Sequence, residues 1–77
     1  MKARSDYHAA FGRAAKALRK ESKQTQQQVA EQMSVPATFV SDIERGVRNI
    51  SLSTMLSLAD ALNCSLSVLV SRAERMR

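Results

Sequence analysis

The chain carries one imidazole, His8, and one thiol, Cys64. Neither stands in a constellation that does covalent chemistry. No Ser–His–Asp, Cys–His or paired-carboxylate arrangement is visible, so nucleophilic and general acid–base catalysis lack their working groups. A small domain without a concave pocket is a poor catalyst, and an enzyme is not expected. His8 has no cysteine or carboxylate neighbour at ligand spacing, so no metal is expected, and nothing calls for a cofactor. What remains is hydrogen bonding and charge. Twelve Lys and Arg face seven Asp and Glu, a net charge of +5. Residues 1–23 hold seven bases and two acids, residues 24–44 no base and three acids, and residues 45–77 five bases and two acids. An acidic middle between basic flanks suits an anionic partner, although net charge alone describes many solvated surfaces. Tyr7, Phe11 and Phe39 are the only aromatics, too few for a platform that stacks single-stranded bases.

The elements that position these groups come from a short chain. Its 77 residues suffice for one domain, residues 1–77, with a small core that a partner subunit would help to stabilise. A lone cysteine points to a reducing compartment. No apolar run approaches the ~20 residues of a membrane span. Met1 to Asp6 is short and polar, unlike a signal peptide, and a cytoplasmic location is expected.

Ala, Leu, Gln, Lys, Arg and Glu dominate, with two glycines and one proline, and the pattern predicts five helices and an all-α fold. Helix 1 spans about Asp6 to Ser22, capped by Ser5, with Phe11, Ala15 and Leu18 inward. Helix 2 covers about 26–33 and begins with a capping box, Thr25 to Gln28; its inner face is Val29, Ala30 and Met33. Helix 3 covers about 36–44, with Pro36 in its first turn, Phe39 or Val40 and Ile43 inward, and Gly46 as the left-handed stop. Helix 4 follows Ser51 with a stripe of Leu52, Met55, Leu56, Ala59 and Leu62, and Asn63 ends it. Helix 5, about 65–75, follows Ser65 with Leu66, Leu69 and Val70 apolar.

Two short helices joined by a tight turn, inside a frame of three others, make the helix-turn-helix plan, whose second helix enters the major groove. The residues carry the same likeness. Thr25-Gln26-Gln27-Gln28-Val29-Ala30-Glu31-Gln32 resembles the opening helix of the lambda-repressor/Cro type, the XRE-like family. Val40-Ser41-Asp42-Ile43-Glu44-Arg45-Gly46 resembles the end of its recognition helix. Arg48-Asn49-Ile50-Ser51-Leu52 and Leu58-Ala59-Asp60-Ala61-Leu62 resemble its fourth helix. The likeness covers about residues 10–70. It is greatest to the small controller proteins of restriction–modification systems and nearly as great to short phage-type repressors.

The resemblance implies sequence-specific binding of double-stranded DNA. Val40 and Ile43 point inward, so the groove-facing positions of helix 3 are Ala37, Thr38, Ser41 and Asp42. Alanine at 37 departs from the family's long polar reader and can touch only a thymine methyl. Thr38 and Ser41 can donate to a base or a phosphate, and Asp42 can accept from cytosine N4 while being repelled by phosphates. With no Arg–guanine pair inside the helix, DNA shape should contribute to readout. Thr25 and Gln26, at the start of helix 2, are assigned to phosphate, where free helical N–H groups favour an anion. Arg45, Arg48 and Asn49 are assigned to phosphate as well, with a guanine edge as an alternative for either arginine. The resemblance also pairs Arg19 with Glu44 in a partly buried ion pair. Ser34 stands where the family prefers glycine. Lys23 and Gln24 replace a glycine and an apolar residue, so a looser first linker is expected. The basic face of helix 1 (Arg13, Lys16, Lys20, Lys23) reads as solvated, the residues before Phe11 as a candidate arm toward the DNA backbone, and Arg72, Arg75 and Arg77 as complements of a helix C-terminus.

Leu62, Leu66, Leu69 and Val70 look like a self-complementary patch. A homodimer closing over it would present two recognition helices about one DNA turn apart, ~34 Å, to an inverted repeat. Such a protein acts from the nucleoid by blocking or recruiting RNA polymerase, and the resemblance implies auto-regulation. The competing expectation is an antitoxin-like module that holds a protein partner, which the sparse reading face at Ala37 and Asp42 keeps open.

Overall fold

The computed structural model describes the backbone of residues 2–77 and the side chains of residues 7–77. Five helices follow one another: α1 (Lys2–Glu21), α2 (Gln26–Met33), α3 (Ala37–Arg45), α4 (Leu52–Ala61) and α5 (Leu66–Arg75). No strand occurs among the described residues, and no single helix there is long and apolar enough to cross a membrane. α1 packs against α3 and α5, α2 against α3 and α4, and α4 against α5.

Local hydrogen bonding explains where the helices start. The Thr25 hydroxyl accepts from the Gln28 N–H at 3.0 Å, and Gln28 Oε1 accepts from the Thr25 N–H at 2.8 Å. Ser51 and Ser65 accept from the backbone of Thr54 and Val68 at 3.1 and 3.3 Å. Each bond satisfies a donor that the first helical turn leaves without a partner. Pro36 lies one position outside α3, not in its first turn: its ψ of 152° is extended, and its carbonyl accepts from the Phe39 N–H at 3.0 Å. α1 starts upstream of the expected cap, so Ser5 lies inside it and the stretch before Phe11 is helix, not a free arm. The side chain of Ser5 lies outside the described residues.

The first four helices each end in a left-handed residue: Lys23 (φ 60°), Ser34 (φ 59°), Gly46 (φ 73°) and Asn63 (φ 59°). In each case the next N–H reaches back to a carbonyl five residues earlier: Gln24 to Arg19, Val35 to Ala30, Val47 to Asp42 and Cys64 to Ala59, at 3.0 to 3.2 Å. This closure satisfies carbonyls that have run out of helical partners. Only the third position is glycine, and the reason is tertiary. A Cβ on Gly46 would lie 2.7 Å from Ala9 Cα, on the backbone of α1. Gly12 answers it from the other side: a Cβ there would lie 2.6 Å from the Glu44 carbonyl oxygen. The two glycines let α1 and the end of α3 cross in backbone contact.

The core joins Ala14, Ala15 and Leu18 of α1, Val29, Ala30 and Met33 of α2, and Val40 and Ile43 of α3 to the last two helices. α4 contributes Leu58, Ala59, Ala61 and Leu62, while Leu52 and Leu56 are 60% and 47% exposed. The expected α4 stripe is therefore corrected at Leu52 and Leu56, while its Ala59 and Leu62 are buried and its Met55 half-buried. That helix is apolar on several sides, and Leu58, Ala61 and Leu62 make an i, i+3, i+4 face as good as the one expected. The dimer patch is corrected too. Leu62 and Leu69 are buried in the core and Leu66 packs against it, which leaves Val70 exposed at 39%. Nor is the first linker loose. Arg19 Nη1 donates to the Gln24 carbonyl at 2.9 Å, and the Gln24 amide donates to the Ala61 carbonyl at 2.9 Å, tying α1 to α4. Partial burial of Cys64 pushes its thiol pKa up, away from reactivity.

The four helix ends should therefore answer differently to substitution. A left-handed conformation costs a non-glycine residue roughly 1–2 kcal/mol. Lys23→Gly and Ser34→Gly should leave stability unchanged or raise it by up to about 1 kcal/mol, whereas Gly46→Ala should lower it by more than about 1 kcal/mol. Urea unfolding of the three variants checks this.

Candidate nucleic-acid interface

Glu44, near the end of α3, is buried. A carboxylate removed from water needs compensating charge and hydrogen bonds. Arg19 of α1 supplies both: Nε donates to Oε2 at 2.6 Å and Nη2 to Oε1 at 3.1 Å. Gln26, the first residue of α2, donates its amide to the same Oε1 at 2.9 Å. Three helices thus meet on one carboxylate, with no buried side-chain polar atom left unpartnered among the described residues. The bidentate arginine sets an angle as well as a distance. α3 is fixed about its own axis by this network on one side and by Val40 and Ile43 in the core.

The rotation so fixed decides what α3 shows to solvent. Thr38, Ser41, Asp42 and Arg45 follow i, i+3, i+4 and i+7, one continuous face. Thr38 and Arg45 are exposed, and Ser41 and Asp42 half-buried. Ala37 lies at the edge of this face, partly packed against the core. Gln26 stands at the neighbouring helix start, its amide engaged by Glu44, and Thr25 before it is exposed.

Asp42, Arg45 and Arg48 form a connected group that the sequence reading did not anticipate. Arg45 Nη2 lies 2.5 Å from Asp42 Oδ1, and Arg48 Nη2 donates to Oδ2 at 3.1 Å. The Arg48 guanidinium also lies over the Phe39 ring, 4.5 Å from its centroid. Hydrogen bonds from Arg48 and then Arg45 hold the Asp42 carboxyl below its usual pKa. A lowered folded value means that this pairing is intact throughout the neutral range and is lost only as acid protonates Asp42 through that value. The i, i+3 spacing of Asp42 and Arg45 was a usable signal. Arg48 was not legible, because the turn at Gly46 brings it back. Asn49 is exposed in the same loop.

Three other bases serve the fold. Arg72 pairs with Glu21 across α5 and α1 at 2.8 and 3.2 Å, Arg13 donates to the Met76 carbonyl at 2.6 Å, and Arg77 covers Tyr7 at 4.1 Å. Arg72 and Arg77 thus make specific contacts with α1 beyond complementing a helix dipole. Beside them, a groove of about 310 Å³ is lined by Tyr7, Phe11, Ile50, Met55, Val70 and Ala73.

The helix-turn-helix family model matches residues 16–69. Among curated proteins, the chain is 44% identical over 59 residues to the immunity repressor protein of Bacillus phage phi105, covering 77% of this chain and 41% of that one. It is 36% identical over 72 residues to the control protein C.MunI of a Mycoplasma species, covering 92% of this chain and 97% of the relative. The chain spans about half the length of several curated relatives, the phage repressor among them. Among solved structures, the clp gene regulator ClgR of Corynebacterium glutamicum superposes with a TM-score of 0.89 at 26% identity, over 91% of this chain and 90% of that one.

The network predicts a large penalty for Glu44→Ala. The change strands the Arg19 guanidinium and the Gln26 amide, and removing one partner of a buried pair costs about 3–5 kcal/mol. Denaturant unfolding should show that loss; a variant as stable as the parent would remove Glu44 from its structural role.

Proposed function

Because this chain belongs to the helix-turn-helix family, we propose that it is a transcriptional regulator that binds double-stranded DNA as a homodimer, with α3 in the major groove. The observation that carries the reading is the outward face of α3: Thr38, Ser41, Asp42 and Arg45 on a helix whose rotation is fixed by the Arg19–Glu44–Gln26 network. Thr38 and Ser41 offer hydroxyls to base edges, Asp42 accepts from cytosine N4, and Ala37 meets a thymine methyl. Phosphates are held by Thr25 and Gln26 at the α2 start and by Arg45, Arg48 and Asn49 beyond α3. These contacts set register and orientation. An immunity repressor and a control protein among the relatives support a role at promoters. Occupancy there blocks or recruits RNA polymerase, in the cytoplasm where the DNA lies.

The homodimer is assigned to the apolar residues that the fold leaves outside. Leu52 and Leu56 share one face of α4, and Val70 and Met55 both line the groove that α1, α4 and α5 enclose. A two-fold contact there buries them and doubles the recognition surface.

Two measurements test this reading. Fragments selected by the protein from sheared genomic DNA at near-physiological salt should share an inverted repeat with half-sites about 10 base pairs apart. Recovery should be lost in Thr38→Ala/Arg48→Ala. Uniform recovery that vanishes as salt rises would mean backbone attraction alone. Leu52→Glu/Leu56→Glu should sediment as a folded monomer and bind the selected fragment more weakly; a dimer of unchanged stability would place the interface elsewhere.

A further inference from the structure

Two arginines at the outward face of α3 are engaged within the protein itself. Arg45 and Arg48 both bind the Asp42 carboxylate, one on each oxygen. Phe39 covers one face of the Arg48 guanidinium, so Arg48 can exchange its hydrogen-bond partner without leaving the ring. The Asp42 side chain is 25% exposed, one helical turn beyond Thr38 on the same face. Any approach that seats Thr38 in a groove also brings this carboxylate and its two arginines to the DNA.

We propose that Asp42 is the specificity-determining gate of this surface: it holds Arg45 and Arg48 to the protein and yields them to phosphates only where a cytosine amino group takes their place on the carboxylate. The inference rests on the DNA-binding reading above. Its logic is an exchange of partners. On an arbitrary sequence, the arginines can move to the backbone only by leaving a carboxylate unpaired between two rows of phosphates. An unpaired charge in a partly desolvated interface is costly, and like charges nearby add to the cost. Alternatively, the arginines stay on Asp42 and the backbone contacts are forfeited. Either way non-cognate DNA is held weakly. Where cytosine N4 faces Asp42, the carboxylate accepts from it, and both guanidiniums are free for phosphate. One base contact thereby controls two backbone contacts, and ordinarily sequence-blind charges become sequence-dependent.

The test uses Asp42→Asn, which keeps the size of the side chain, removes the negative charge and lies outside the Glu44 network. Circular dichroism and thermal melting establish that the fold is retained. Affinities are measured by fluorescence anisotropy for the selected operator and for an unrelated duplex of equal length, across a salt series. The gate predicts that Asp42→Asn binds the unrelated duplex about tenfold or more tightly than the parent does, with a smaller gain on the operator, so that the specificity ratio falls. The salt dependence on the unrelated duplex should steepen as the freed arginines reach phosphates. A second measurement scans single substitutions through one half-site. The parent should prefer cytosine at one position where Asp42→Asn has lost that preference or shifted it toward adenine, with the other preferences unchanged. Equal gains on both duplexes would reduce Asp42 to general repulsion and overturn the gate. Equal losses would make it a brace for the arginines, and the absence of a cytosine position lost in Asp42→Asn would also overturn it. A parent protein that prefers no sequence would instead defeat the underlying regulator reading.

Discussion

A single buried carboxylate orients the recognition side of this protein. Glu44 takes hydrogen bonds from Arg19 of α1 and Gln26 of α2, and without them a charge inside so small a core would be untenable. The same requirement makes the arrangement directional. A guanidinium that grips both oxygens in its own plane leaves the helix carrying the carboxylate little freedom to roll. Gly12 and Gly46 complete the constraint by letting the backbones of α1 and α3 meet where any side chain would intrude. A helix of nine residues could not hold its outward face so firmly by its own hydrogen bonds, because isolated helices of that length are marginal in water.

That rotation separates two kinds of charge. Glu44 and Arg19 face inward and serve architecture. Asp42, Arg45 and Arg48 face outward and neutralise one another in part. The chain as a whole is basic, yet its reading face is not an open cluster of free cations. As the proposed DNA-binding surface it would attract DNA less indiscriminately than the net charge suggests, since the free energy of moving each arginine to phosphate would include what Asp42 loses. Three further bases, Arg13, Arg72 and Arg77, fasten the last helix and the residues after it to α1.

What could be read from the sequence was mostly local. The Thr25–Gln28 box, the Ser51 and Ser65 caps and the stop at Gly46 are hydrogen-bond devices that act within a few residues, so their residue types announce them. The α2 and α3 inner faces followed from helical spacing, and the Arg19–Glu44 contact from likeness to a family. The α4 face was not legible, because leucines at 52, 56, 58 and 62 satisfy more than one inward direction, and only packing against α2 and α5 chooses between them. Taking Leu62 as surface followed from the same ambiguity, and Leu69 was misplaced because the α5 spacing does not say that its apolar face packs inside the same chain. Gly12 gave no signal, since a glycine within a helix is explained only by the α3 carbonyls it admits. The engagement of Arg48 by Asp42 was hidden for a related reason: it depends on a reversal at Gly46 that spacing within one helix does not describe.

On the proposed reading, the Glu44 network turns the Thr38–Ser41–Asp42 face of α3 into a major groove. Dimethyl sulfate protection on a bound operator reads this directly, because it methylates guanine N7 in the major groove and adenine N3 in the minor groove. A dimer with α3 in the major groove should protect guanine N7 in two clusters about one helical turn apart, roughly 10 base pairs, with minor-groove adenines still reactive between them. Protection confined to adenine N3, or a bound complex with every guanine N7 still reactive, would contradict it.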